Sequence, residues 1–452
     1  MPKKPSPAGF KKFPLPPQQA KTFPLPAIIF FLGSIFLFRL AFGLATEIWF
    51  IDQQQIYLLG LKFFTTGQWP YFGPDVAANI QLPGALQGLV VGLPLFLLPI
   101  PEAPYIFLAI LSFSSLSLLA WYISKRLPQF PPWIIWTWVL TAPWVMNWST
   151  NIDNDSYALT GGILFFIGFI ETIPALRRNL VPSTLANLMM GFGLLWTAQF
   201  HMSYVILFPF LIFSAFQQIK TAGPPFLKSL FFFTLGALAS GIFIIPTLLK
   251  HGLSQGLGGS GNAIAFNPEN FGSFFTILAR FLCLASCEVP RFIGANSSER
   301  WAYLDENLKV APFVVTAAIL GFLQILTLFL SAFRLRHPQK DWAAVKLLTF
   351  LTFLLIYISF LFAIKTPAAH TYYITLPIVM IYAFYVFSPW TSNKKFLTAV
   401  KILLICNIVF HLGLAIHNLP VKSLYKDRGT FVKAIGEKNY HLLGERRPNT
   451  LY

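Results

Sequence analysis

The chain has 452 residues, 56% of them hydrophobic and 11% charged, with a mean hydropathy of +0.63. So few polar side chains cannot cover a core of that size against water, which excludes an ordinary soluble enzyme and leaves lipid as the main solvent. The net charge of +17 is carried on short connections between apolar runs, not on a basic domain, so it reads as membrane sidedness and argues against a nucleic-acid partner.

In chain order, residues 1–26 are basic and Pro-rich and predict a disordered cytoplasmic tail. The apolar run that follows has no small-residue cleavage site, so it is expected to be a first span and not a signal peptide. Runs long enough to cross a bilayer occupy 27–45, 104–124, 133–149, 156–173, 226–248, 311–332, 345–364, 371–389 and 396–416. The stretch 184–217 is too long for one crossing and is interrupted at Gln199-Phe200-His201, so it reads as two. The fold class expected is therefore all-α, a polytopic integral membrane protein with about eleven transmembrane helices and interfacial helices in its first outer loop. Residues 27–417 form one transmembrane module, with outer loops at 46–103 and 249–310, and 418–452 form a basic tail.

One further apolar run, 82–101, contains Pro83, Pro94, Pro99 and Pro101 with Gly84, Gly88 and Gly92, a poor composition for a regular span. Charge decides its status. If it stays in the outer interface, Lys125-Arg126, Arg177-Arg178, Lys220, Lys228, Arg334, Arg336, Lys340, Lys394 and Lys395 all fall on the cytoplasmic side with the N-terminal lysines; if it crosses, the positive-inside rule fails repeatedly. The basic tail after 417, left outside by this topology, runs against the pattern.

Candidate chemistry gathers at the outer span ends. Asp52 follows the first span, and Ile56, Leu59 and Phe63 recur beyond it at helical spacing, so the segment is expected to lie along the interface with its polar side up. A carboxylate partly shielded there can serve as a base; the simpler reading is a solvated acid. Asp153 and Asp155, in TNIDNDSYAL, emerge on the same side. The plainer role there is helix capping by Asn154, Asp155 or Ser156. Arg39, inside the first span, needs a bonded partner such as Asp52 or Glu47. His201 falls in the break between two spans, and Lys365, His370 and Tyr372 lie together in IKTPAAHTYYITLP. Arg280, Arg291 and Arg300 belong to the loop 249–310. Cations at this depth suit an anionic lipid phosphate; snorkelling to headgroups is the bland alternative for each. The Gly-rich stretch 251–270 lacks the order of a nucleotide cradle and reads as a loop or a flexible lid. Cys283, Cys287 and Cys406 form no CxxC pair and read as packing residues.

One pattern among these residues is shared with a known family. A span containing Arg39, then Trp49-x-x-Asp52, a helix, and Gly67-x-x-Pro70 resembles the GT-C class of membrane glycosyltransferases, which includes the protein O-mannosyltransferases and the aminoarabinose transferase of lipid A. Asp155, ahead of an apolar helix, resembles the second acidic marker of that class; QLPGAL at 81–86 resembles its Pro-containing segment, and His201 stands where some members carry a basic residue. The likeness covers roughly 27–217. The chain departs from it at Gln53, where many members have a second acid, and at Gln81-Leu82-Pro83, where the aminoarabinose transferase has an acid before the Pro, so the second acid here is Asp155 or Asp153. The resemblance implies a transferase in a bacterial inner membrane, working on its extracytoplasmic side with a polyprenyl-phosphate-linked sugar. It further implies Asp52 as the residue that takes the acceptor's proton, with the leaving lipid phosphate held by cations such as His201, Lys365 or His370; Asp153 and Asp155 are the other catalytic candidates, and Arg39, Tyr372, Arg280 and Arg291 the other candidates for binding substrate. A divalent cation, if one is used, would sit between Asp52 and Asp155. The rival classes are a transporter or flippase, expected to carry ionisable groups at mid-membrane, a surface-polysaccharide polymerase or ligase, and a non-catalytic scaffold.

Overall fold

The computed structural model describes residues 24–47, 51–76, 80–222, 226–252, 265–334, 336–363, 366–421 and 423–444. In chain order these form α1 (Leu25–Thr46), α2 (Ile51–Thr66), a hairpin of β1 (Phe72–Val76) and β2 (Ile80–Pro83), α3 (Leu86–Leu97), α4 (Ala103–Arg126), α5 (Pro132–Thr141) and α6 (Pro143–Trp148). They continue with α7 (Asn154–Thr172), α8 (Ser183–Phe200), α9 (Leu207–Ala222), α10 (Phe226–Gly241), α11 (Ile245–His251), α12 (Phe274–Cys283), α13 (Ser297–Glu306) and α14 (Ala311–Ser331). The last are α15 (Trp342–Leu361), α16 (Leu376–Phe387), α17 (Lys394–Asn418), α18 (Ser423–Lys426) and α19 (Arg428–Gly436). The chain is an all-α membrane protein, its small antiparallel hairpin aside. Among the described residues, eight helical segments are long and apolar enough to cross a bilayer. Leu25, Phe30, Leu249, Phe322 and Ile416 present bare apolar surface, as lipid-facing side chains do.

The segments expected at 133–149, 156–173 and 184–200 are among those outside these eight. The first is one axis broken in two: Pro143 has no N–H to continue the ladder, so α5 ends at Thr141 and α6 restarts after Ala142. α7 and α8 are packed inside the bundle, where lipid does not demand a uniformly apolar surface. The α7 and α8 backbones nearly touch, since a Cβ on Gly161 would lie 2.7 Å from the Gly193 carbonyl oxygen, and so do those of α8 and α10, where one on Gly191 would strike the Phe233 carbonyl and one on Gly236 the Leu188 carbonyl. With lipid as solvent, close contact between small residues is what drives helices together.

The run 82–101 forms no helix long enough to cross. Its helix α3 has 12 residues, about 18 Å at the helical rise, and packs on α2. Gly88 accepts the Pro70 ring and Gly60 lies against Val91 and Gly92, so the glycines that disqualify a span make a tight hairpin of helices instead. Leu97, at the far end of α3, is 88% exposed and apolar, as an interfacial helix requires. Gly67 closes α2 with φ +70 and an N–H to the Phe63 carbonyl at 2.9 Å, a conformation few other residues tolerate. The expected solvated polar face of α2 is overturned: Gln53, Gln54, Gln55 and Lys62 are all buried, because α3 and the C-terminal segment cover the helix. That segment is no loose tail. Arg428 donates to the Glu102 carboxylate at 2.6 and 3.2 Å, and Phe431 packs edge-on to Tyr57.

The helix ends separate into two groups. At one end, Arg126 closes α4, Glu171 lies in the last turn of α7, and Arg178 precedes α8. Asp341 precedes α15 there and Tyr385 lies near the end of α16; Arg126 and Arg178 both bridge Asp341 at 2.8 Å, and Tyr385 donates to it at 2.7 Å. At the other end, α1 finishes beside Tyr105 of α4, and α7 starts where α8 finishes. The C-terminal segment is at this second end too.

Candidate functional site

The second end holds the carboxylates. Asp52 sits in the first turn of α2, exposed. Its neighbour Gln53 donates from Nε2 to Asp153 Oδ2 at 2.8 Å, tying α2 to the start of α7. Asp153 occupies the cap position of α7, which corrects the expectation of Asn154, Asp155 or Ser156, and its side chain makes no capping hydrogen bond. Burial first, then the negative charge of Asp52, raises its pKa from 3.8 to about 6. Asp155, two residues on, is 3% exposed and lies within the fields of both Asp153 and Asp52. The three acids therefore share one mouth.

His201 closes the other side of Asp155, with Nε2 at 3.4 Å from Oδ1. Its tautomer follows from the backbone: Nδ1 accepts the Ser203 N–H at 3.0 Å, so the proton of the neutral ring is on Nε2, facing the carboxyl. The ring stays neutral, because burial first and the nearby His370 second lower its pKa to about 4. Gln87 adds a neutral floor, donating to Asn154 Oδ1 at 2.9 Å and to the Phe200 carbonyl at 2.8 Å.

A scan against protein-family models and searches of curated proteins and of solved structures returned no match.

His370 stacks on Trp148 at 5.0 Å, Trp148 on Trp144 at 6.3 Å, and the Arg291 guanidinium lies 4.9 Å from the Trp144 ring centre. This row leads from the acids to a cationic flank. Arg280 donates to the Pro367 carbonyl at 2.7 Å, and both Arg280 and Arg291 act on Tyr372, whose buried hydroxyl has no hydrogen-bond partner. A phenol O–H left bare beside two guanidinium groups is equipped for an anion with several acceptor oxygens.

Asp52, Asp153, Asp155, His201, His370, Tyr372, Arg280 and Arg291 are thus brought to one region. Arg39 is a correction: it is fully buried and pairs with neither Asp52 nor Glu47. Its guanidinium donates to the Leu140 carbonyl at 2.6 Å, to Ser149 Oγ at 2.8 Å and to Ser112 Oγ at 3.2 Å. It fixes α1 against α4, α5 and the residue after α6, beneath the site. Lys365, Trp49 and residues 253–264 of the Gly-rich stretch lie outside the described residues. Sequence reasoning missed Gln53, Gln87, Trp144 and Trp148. The signal was present for the tryptophans, which stand four apart in PWVMNWST and so share a helix face.

The acids do not form a metal cage: among the described residues no three His, Cys, Asp or Glu side chains converge closely enough to hold an ion.

The raised pKa of Asp153 has a consequence for stability. Between pH 4 and 6 the unfolded chain has already released this proton while the folded chain keeps it, so this group's contribution falls as pH rises through that window. Asp153→Asn should flatten the fall in melting temperature across that range, measured by thermal unfolding in detergent; an unchanged slope would mean Asp153 titrates normally.

Proposed function

We propose that the chain is a glycosyltransferase that moves a sugar from a lipid-phosphate donor, of the polyprenyl class, to a hydroxyl acceptor at the non-cytoplasmic face of a membrane. One observation carries the reading: a single mouth has acids on one flank and a cationic anion site on the other. Asp52, the exposed acid, is the one an acceptor hydroxyl can reach, and it takes the hydroxyl proton. The acceptor oxygen bonds to the anomeric carbon as that carbon's bond to the phosphate oxygen breaks. The lipid phosphate leaves as an anion held by Arg280, Arg291 and the Tyr372 hydroxyl. Asp153, held by Gln53, keeps the developing positive charge of the sugar near negative charge, while Asp155, which burial pushes toward its neutral form, lines the site beside His201.

The sidedness belongs to the same reading. Counting α5–α6, α7 and α8 as crossings gives about eleven spans, with Lys125, Arg126, Arg177, Arg178, Lys220, Lys228, Arg334, Arg336, Lys394 and Lys395 gathered at the end opposite the acids. The positive-inside rule makes that end cytoplasmic.

Deleting the chain should remove one sugar from the cell's glycolipid or glycoprotein profile, read by mass spectrometry. An unchanged profile with altered solute or lipid translocation would favour the transporter class.

A further inference from the structure

Beyond the anion site, a cavity of about 210 Å³ lies between α13 and the first turns of α14. Ile293, Leu304, Val314 and Ala318 line it, with Trp301 and Arg300 at its border. Its place in the fold is specific. α14 begins its lipid-facing run here, with Val315 45% exposed and Ile319 58% exposed, and Trp301 on α13 is 71% exposed, the setting of an aromatic at the headgroup level. Pro290 and Ile293 form part of the wall, and between them Arg291 leaves the same turn to lie over Trp144. One short turn therefore has the apolar cavity on one side and the anion site on the other. Charge adds to this: Arg291 and Arg300 both act on Glu288, whose burial raises its pKa and weakens it as a counter-ion. Arg280, Arg291 and Arg300 stand around the turn, and the other acid there, Glu299, is engaged by the Ala295 N–H and Asn296.

We propose that this cavity seats the first part of the hydrocarbon chain of a lipid phosphate, with the phosphate lying across the turn at Arg280, Arg291 and Tyr372. The occupant is a single-chain lipid phosphate because the cavity holds only a short stretch of chain, opens toward the bilayer, and lies next to cations with an unsatisfied phenol. This rests on the reading of the donor above and adds where its tail enters: laterally, between α13 and α14, and not from the aqueous side.

The test uses the full chain in phosphatidylcholine nanodiscs and a farnesyl phosphate analogue with a diazirine on the hydrocarbon chain. Photolysis should crosslink residues within 290–318. Ala318→Trp, which fills the cavity, should lower that labelling about tenfold, and Arg291→Ala should lower it too. The matching farnesol probe should label weakly, and excess phosphatidylglycerol should leave the labelling intact. Val315→Trp, at an exposed position that tolerates bulk, is the second filling variant. Crosslinks on other helices, unchanged labelling in both tryptophan variants, or displacement by phosphatidylglycerol as from an ordinary bilayer-lipid site would each overturn the assignment. Labelling requires no turnover, so specific binding here without sugar transfer would sink the transferase reading and leave the cavity's role standing.

Discussion

Asp52→Asn is expected to lower sugar transfer by about 10³-fold, within the usual range for loss of a general base, while the protein inserts and melts as the parent does. The reason is local. Asp52 is exposed at the mouth, so an amide of the same shape costs little packing, and the loss falls on proton removal from the acceptor. Asp155 differs, being 3% exposed and set against His201, and a change there alters the mouth itself. Transfer by purified protein from a polyprenyl-phosphate sugar is the readout. An Asp52→Asn protein that keeps more than about a tenth of parental activity would remove Asp52 from the chemistry.

The largest expected stability effect lies at the opposite end. Arg126 is 1% exposed and donates to the Leu176 carbonyl at 2.9 Å, to the Tyr122 hydroxyl at 3.0 Å and to the Asp341 carboxylate at 2.8 Å. Glu171, also 1% exposed, lies 3.7 Å away. Arg126→Met would leave that acid without its cation in a site closed to water, a loss of about 3–5 kcal/mol for a broken buried pair. Arg126→Lys is expected to rescue poorly, because one ammonium cannot reach three elements at once as the planar fork does. The melting temperature in detergent should fall by several degrees in both variants, with Arg126→Met the lower. Equal stability of Arg126→Met and the parent would show that the network does not clamp α4, α7 and α15.

Much of this architecture was readable from the residues. Ionisable groups are scarce in a bilayer, so the few that occur mark span ends, and their side follows from alternation. That logic brought Asp52, Asp155, His201 and His370 to one region although they are spread over more than 300 positions of the chain. The same logic argued against a crossing at 82–101, whose helix is too short to span. What was hidden depends on packing. Arg39 looked in need of an acid, but carbonyl and hydroxyl oxygens on three other segments take its two terminal nitrogens, and no local pattern reveals partners about a hundred residues away. The burial of Gln54, Gln55 and Lys62 depends on α3 and on residues 428–444, which as sequence look like a charged tail. The run 133–149 reads as a single span, and only the structure shows that a break at Pro143 turns Trp144 and Trp148 toward Arg291 and His370.

Sidedness is the claim on which the rest depends, and thiol accessibility tests it most directly. In a background with Cys283, Cys287 and Cys406 replaced, Asp52→Cys and Gln339→Cys place single thiols at the two ends. A membrane-impermeant maleimide applied to intact cells should label the thiol at 52, and should reach the one at 339 only after permeabilisation. Labelling of 339 from outside with protection of 52, or the same accessibility at both, would contradict an outer-face site.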